Sequence, residues 1–101
     1  AYGKELNDLA ESQRILEQGL AIAPKNYEIL TNLGTVYGIQ QNYSKAIEVL
    51  EIAVQIRPEV AKAYTDLGLS YYFAGNAELA RQAFDKAVQL DNSIDRSQFP
   101  L

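Results

Sequence analysis

Glu48, Glu51 and Asp85 are the side chains whose type and spacing could do bond-making chemistry. Glu48 and Glu51 stand three residues apart, on one face of a helix. A carboxylate pair so placed can pass a proton. That work also needs a cleft-forming loop, a glycine-rich turn or a cationic partner, and none accompanies these residues in the sequence. The simpler reading is a solvent-facing row of charges pairing with Lys45 or Lys86. Composition closes other routes. The chain has no cysteine and no histidine, so disulfides, thiolate catalysis and the usual ligands of zinc are missing. No nucleotide-binding motif occurs, and no cofactor or metal is expected. Seven tyrosines could stack on sugars or bases, but a net charge of −4 opposes a phosphate backbone, so no nucleic-acid partner is expected.

The elements that carry these residues show a 34-residue period. Leu33-Gly34 and Leu67-Gly68 stand 34 apart, as do Tyr37 and Tyr71, Ala46 and Ala80, and Ala53 and Ala87. Laid over each other, residues 27–60 and 61–94 agree at nine positions, mostly apolar or small residues at helical spacing. A period of this length filled by two helical patterns marks a stacked helical repeat. The spacing predicts helices over 27–40, 44–57, 61–74 and 78–91. Gln41-Asn42 and Gly75-Asn76 read as tight turns ending in an N-cap asparagine. Pro58 stops the helix before it.

The first 26 residues carry part of the same pattern. Ile15-Leu16-Glu17 and Ile22-Ala23-Pro24 repeat as Val49-Leu50-Glu51 and Ile56-Arg57-Pro58. The chain therefore opens with the second helix of a preceding unit, over 9–22, with Asn7-Asp8 where its turn should fall. Residues 1–6 are either a remnant of that unit's first helix or a backward extension of the following one. The organisation is a single domain: a partial repeat at 1–26, repeats at 27–60 and 61–94, and a tail at 95–101. The chain does not begin with Met and reads as a piece of a longer protein.

A glycine inside a helix costs about 1 kcal/mol against alanine. Gly34 and Gly68 share one phase, which points to close approach of a facing helix. Ala46 and Ala80 are the expected opposite surface. Ala53 and Ala87 should serve the contact with the next unit, and Gly19 holds that phase in the partial unit. Large residues (Leu30/Tyr64, Leu33/Leu67, Tyr37/Tyr71, Leu50/Phe84) should fill the space around these contacts. Tyr37, Tyr64 and Tyr71 are thereby assigned to the core.

The pattern Leu30, Leu33-Gly34, Tyr37, Ala46, Leu50, Ala53, Pro58 resembles the tetratricopeptide repeat. Residues 61–94 repeat it through Tyr64, Leu67-Gly68, Tyr71, Ala80, Phe84 and Ala87, with Asn92 in place of the proline. Residues 9–26 match only its second half. The resemblance implies an all-α fold, a right-handed superhelix of antiparallel helix pairs. It also implies a protein-interaction scaffold whose concave groove, lined by the first helix of each unit, holds an extended or helical peptide.

The groove-facing set expected from the first unit is Glu28, Thr31, Asn32, Thr35 and Ile39. From the second unit it is Lys62, Thr65, Asp66, Leu69 and Phe73, with Tyr72 beside them. The charged members are equally well explained as the solvated face of amphipathic helices. The apolar ones point more firmly to a contact. One subfamily, the clamp for acidic C-terminal tails of heat-shock chaperones, uses paired Lys, Asn and Arg side chains. Asn32 and Lys62 match two of its positions, but Asp66 stands where the Arg should be. That reversed charge argues against an acidic tail.

No apolar stretch approaches the ~18 residues that span a bilayer. No signal peptide is visible, and cytoplasmic, periplasmic and organellar compartments stay open. The leading expectation is a scaffold for a protein or peptide partner, not an enzyme. Two alternatives stand beside it: self-association through exposed stack ends, since end units need a cap, and a regulatory segment of a larger enzyme. After Phe84 and Val88 no full helix follows, so either the tail (Ile94, Phe99, Leu101) folds back over them or another molecule covers them.

Overall fold

The computed structural model describes the backbone of residues 2–101 and the side chains of residues 8–101. Five helices follow in order: α1 (Tyr2–Ile22), α2 (Tyr27–Ile39), α3 (Tyr43–Ile56), α4 (Ala61–Phe73) and α5 (Ala77–Leu90). A single 3-10 turn, Arg96–Gln98, comes after them. Among the described residues there is no strand. α4 and α5 start and stop 34 residues after α2 and α3, so the period in the sequence is the period of the structure.

Three residues join α2 to α3, and three join α4 to α5. Links this short leave antiparallel packing as the outcome. The reversal needs one left-handed residue, Gln41 (φ 62°) in the first pair and Gly75 (φ 91°) in the second. Glycine adopts that conformation freely, whereas glutamine gives up roughly 1 kcal/mol. The asparagine that follows takes the N-cap position each time. Asn76 accepts from the Leu79 N–H at 3.2 Å, but Asn42 makes no side-chain cap bond. Nothing in their backbone explains the difference. α5 ends at the phase where α3 ends, although Asn92 replaces Pro58, because Asp91 turns to extended backbone.

The expected turn at Asn7-Asp8 does not form. α1 runs unbroken from Tyr2, so residues 2–6 extend the following helix backwards. Ala1 lies outside the described residues. A reversal is held by a first helix packing back on the second, and six residues give fewer than two turns to do so. No proline or glycine between Lys4 and Gln18 interrupts the ladder.

Leu30, Leu33, Tyr37, Leu50, Leu67, Tyr71 and Phe84 form one buried cluster with Ala46, Ala53, Ala80 and Ala83. The glycines meet different partners from those expected. A Cβ on Gly34 would lie 2.6 Å from Leu50 Cδ2, and one on Gly68 would lie 2.5 Å from Phe84 Cε1. The nearest facing residue is thus the large one, and Ala46 and Ala80 are fully buried. The large side chain fills the space that the missing Cβ leaves, which gives denser packing than two small residues could. Gly19 meets Ile29 of α2 (3.1 Å), the next unit's first helix, as its phase implied.

The tail folds back. Phe99 stacks on Phe84 with centroids 4.3 Å apart and planes 6° off parallel. Arg96 ties it down, donating from Nε to Asp85 at 2.8 Å and from Nη1 to the Leu101 carbonyl at 2.7 Å. Consecutive helices pack on each other, and α2 also touches α4. Among the described residues, the backbones of α1 and α3 stay apart, as do those of α3 and α5. First helices that meet while second helices splay make a curved stack, with α2 and α4 on its concave side.

Candidate functional site

Between α2 and α4 lies a cleft of about 310 Å³. Gly34, Gly38 and Leu50 form its floor, Ile39, Tyr43, Leu69 and Phe73 its apolar wall, and Thr35, Lys62, Asp66 and Ser70 its polar side. Lys62 and Asp66 sit toward the N-terminal end of α4, Ile39 and Phe73 close α2 and α4 at their C-terminal ends, and Thr35 and Ser70 lie between. Ile39 and Phe73, one period apart, are 60% and 58% exposed at the rim. Tyr43, from the start of α3, stacks on Phe73 at 5.4 Å, and Tyr72 meets the same ring edge-on at 5.3 Å.

Six of the expected groove residues, Thr35, Ile39, Lys62, Asp66, Leu69 and Phe73, line this cleft together. Glu28, Thr31, Asn32 and Thr65 do not line it. Lys62 donates to Asp66 at 2.9 Å, so the cation of the cleft already has its carboxylate. Gly38, Tyr43 and Ser70 were not legible as site residues. Gly38 had a signal: it is a glycine in the last turn of α2 with no counterpart one period on, where Tyr72 stands. Tyr43 had none, because it reaches the groove from a second helix.

The carboxylates do not pair with Lys45 or Lys86. The Tyr37 hydroxyl donates to Glu17, the Tyr71 hydroxyl donates to Glu51, and Arg96 donates to Asp85. Burial pushes both tyrosine pKa values up, and the bonded carboxylate adds to that. The Tyr37 bond in turn lowers Glu17. Glu17, Glu51 and Asp85 are each 34 apart, so Asp85 extends the Glu17/Glu51 match by one more period. Each acid latches the element that follows it: α2, α4 and the tail. Among the described residues no three acidic side chains converge to hold a metal ion.

A curved stack of helix pairs with an apolar groove is the architecture of a repeat scaffold. The chain belongs to the tetratricopeptide repeat family, whose profile matches residues 27–93. Among solved structures it is similar to MamA (41 to the end) from Desulfovibrio magneticus RS-1, with 30% identity and a TM-score of 0.84. That match covers 90% of this chain and 51% of the other, so the chain spans about half the length of that structure. A mutant O-GlcNAc transferase from Thermobaculum terrenum is 32% identical with a TM-score of 0.78, over 84% of this chain and 16% of that one. The first TPR of Spaghetti (RPAP3), bound to the HSP90 peptide SRMEEVD, is 18% identical with a TM-score of 0.84. It covers 93% of this chain and 75% of its own, and at that identity the likeness is one of fold alone. No curated protein matches the chain. Among the described residues no helix is long and apolar enough to cross a membrane.

Proposed function

We propose that the protein holds a segment of a partner protein in the groove between α2 and α4, acting as an adaptor rather than a catalyst. The observation that carries this reading is the apolar rim. Ile39 and Phe73 leave more than half their surface in water at equivalent phases, beside a cleft already open. Apolar surface gathered around a concavity is where ligands and partner segments dock. The Lys62–Asp66 pair disfavours an acidic tail, because Asp66 already engages the Lys62 ammonium and adds a like charge beside any entering carboxylate. An acidic C-terminal peptide that bound with micromolar affinity would overturn that exclusion.

The test is affinity capture with wild type and with the triple variant Ile39→Ala, Lys62→Ala, Phe73→Ala. Loss of the captured partner in a variant with unchanged helicity supports the groove. Recovery of the same partner at the same yield places binding elsewhere. A second reading, self-association, is favoured by α1, where Ile15 and Ile22 are 55% and 87% exposed. Sedimentation across a concentration series separates the two, since a strict monomer leaves only the first.

A further inference from the structure

A second cleft, of about 520 Å³, opens between α1 and α3 and shares no residue with the groove. Leu20 and Val49 line its apolar side, the buried Tyr37 also lines it, and Glu17, Lys45 and Glu48 are its charged members. One Glu17 oxygen takes both the Tyr37 hydroxyl and the Gln13 amide, the latter at 3.2 Å. Among the described residues its other oxygen accepts nothing, nor does either oxygen of Glu48. Lys45 Nζ stands over the Tyr37 ring, 5.8 Å from its centre. Among the described residues it has no ion-pair partner.

The fold does not need these charges. One period on, Leu79 and Gln82 replace Lys45 and Glu48, and Tyr71 still donates to Glu51. The charge balance favours a cation. Glu17 faces the cleft from α1, Glu48 and Lys45 face it from α3, and α2 brings only the uncharged Tyr37. Arg14 is paired with Glu11 and, like Lys25 in the loop after α1, does not line the cleft. Two carboxylates thus share one ammonium. Glu17 stays ionised, because the Tyr37 bond lowers its pKa most and Gln13 and Lys45 add to that, against the cost of burial. A cation over a tyrosine ring is held by the ring's electrons, and Lys45 shows where such a cation sits. Lys45 holds the place loosely, since an exposed ammonium with no bonded carboxylate gains little there. A guanidinium is better suited. It stacks flat on an aromatic face, its fork of donors matches carboxylates, and its methylene stem suits an apolar wall such as Leu20 and Val49.

We infer that this outer cleft takes an arginine side chain of a partner protein, which displaces Lys45 from the Tyr37 ring and bonds Glu17 and Glu48. The site is independent of the groove between α2 and α4. The probe is a capped tripeptide with arginine at its centre. Its control is the same peptide with citrulline, which keeps the shape and lacks the charge. Each is titrated into the isotope-labelled whole chain and followed by backbone amide shifts. The expected result is saturable shifts at Glu17, Ala21, Lys45 and Glu48 with the arginine peptide, and none with citrulline. Glu48→Gln should weaken binding about fivefold, the upper end for an exposed charge pair. Lys45→Ala should tighten it by about as much, because it removes the competing cation. Both positions are exposed, so the fold, checked by melting, is kept. Binding lost on Lys45→Ala overturns the inference and marks the cleft as an anion site. Citrulline that binds as well as arginine, an affinity unchanged in either variant, shifts confined to other residues, or no saturation at all would each overturn it too.

Discussion

Residues 27–60 and 61–94 build one helix pair twice from largely different side chains. In the first, Gly34 receives Leu50, and α4 packs against both helices of the pair. In the second, Gly68 receives Phe84, and the tail supplies the cover through Phe99 and Arg96. Tyr37 latches the first unit to Glu17 behind it, and Tyr71 latches the second to Glu51. Nine shared positions of 34 therefore suffice, because they include the buried Leu33/Leu67, Gly34/Gly68, Tyr37/Tyr71, Ala46/Ala80 and Ala53/Ala87. The remainder can drift if each large residue still finds a glycine and each acid still finds a donor.

Overfilling the glycine contact should break this equivalence most severely. Gly34→Leu and Gly68→Leu are expected to destabilise by about 3 kcal/mol, overpacking outweighing the helix-propensity gain. The Gly68 variant should be the worse, since Phe84 is rigid and held on its other face by Phe99 while Leu50 can change rotamer. Urea denaturation checks both, and an unmoved midpoint in either would refute the glycine–large-residue pairing.

Phe99→Ala comes next, at about 2 kcal/mol, because it removes a partly buried ring from a stacked pair. Hydrogen exchange should show lost protection in α5 and little change in α2. Uniform loss through all helices would mean the tail is not a local cover.

Tyr37→Phe and Tyr71→Phe should each remove about 1 kcal/mol, the net worth of one hydrogen bond. Their pH signature is specific. Both tyrosines titrate above their ordinary value of 10.0 when folded. The folded state thus holds protons that the unfolded state releases, so stability is full below about pH 10 and falls as pH rises beyond it. The double variant should show a shallower alkaline decline in melting temperature. An unchanged decline would mean the latches do not carry it.

Smaller effects would sharpen the comparison at the turns. Asn76→Ala should lose about 1 kcal/mol with its cap bond, and Asn42→Ala much less. Equal losses by thermal melting would show that the two caps act alike. Gln41→Gly should gain about 0.5 kcal/mol by relieving the left-handed residue that Gly75 already accommodates. A drop in melting temperature would mean the glutamine side chain holds the turn.

Helix boundaries, the antiparallel pairing and the small-residue phases were readable because they follow from local spacing. Leu33-Gly34 and Leu67-Gly68 mark the same turn of the same helix whatever surrounds them. The candidate site was legible for Thr35, Ile39, Lys62, Asp66, Leu69 and Phe73, whose phase aims them at the concave side. It was not legible for Tyr43, which enters from another helix. Nor could Glu51 be told from a solvated charge without knowing that Tyr71 lies over it.

Sequence alone thus determined the rhythm of the chain: where α2 to α5 start, which face of each is apolar, and where backbones must come close. Those are properties of a periodic ladder and of missing Cβ atoms, and they need no knowledge of a neighbour. Only the tertiary structure decided that Leu50 and Phe84, not Ala46 and Ala80, fill the glycine gaps. It alone decided that Asn7-Asp8 stays helical and that Arg96 and Phe99 close the end of the stack. Such choices depend on the offset between helices and on which side chain reaches a shared space first, and a one-dimensional pattern carries neither.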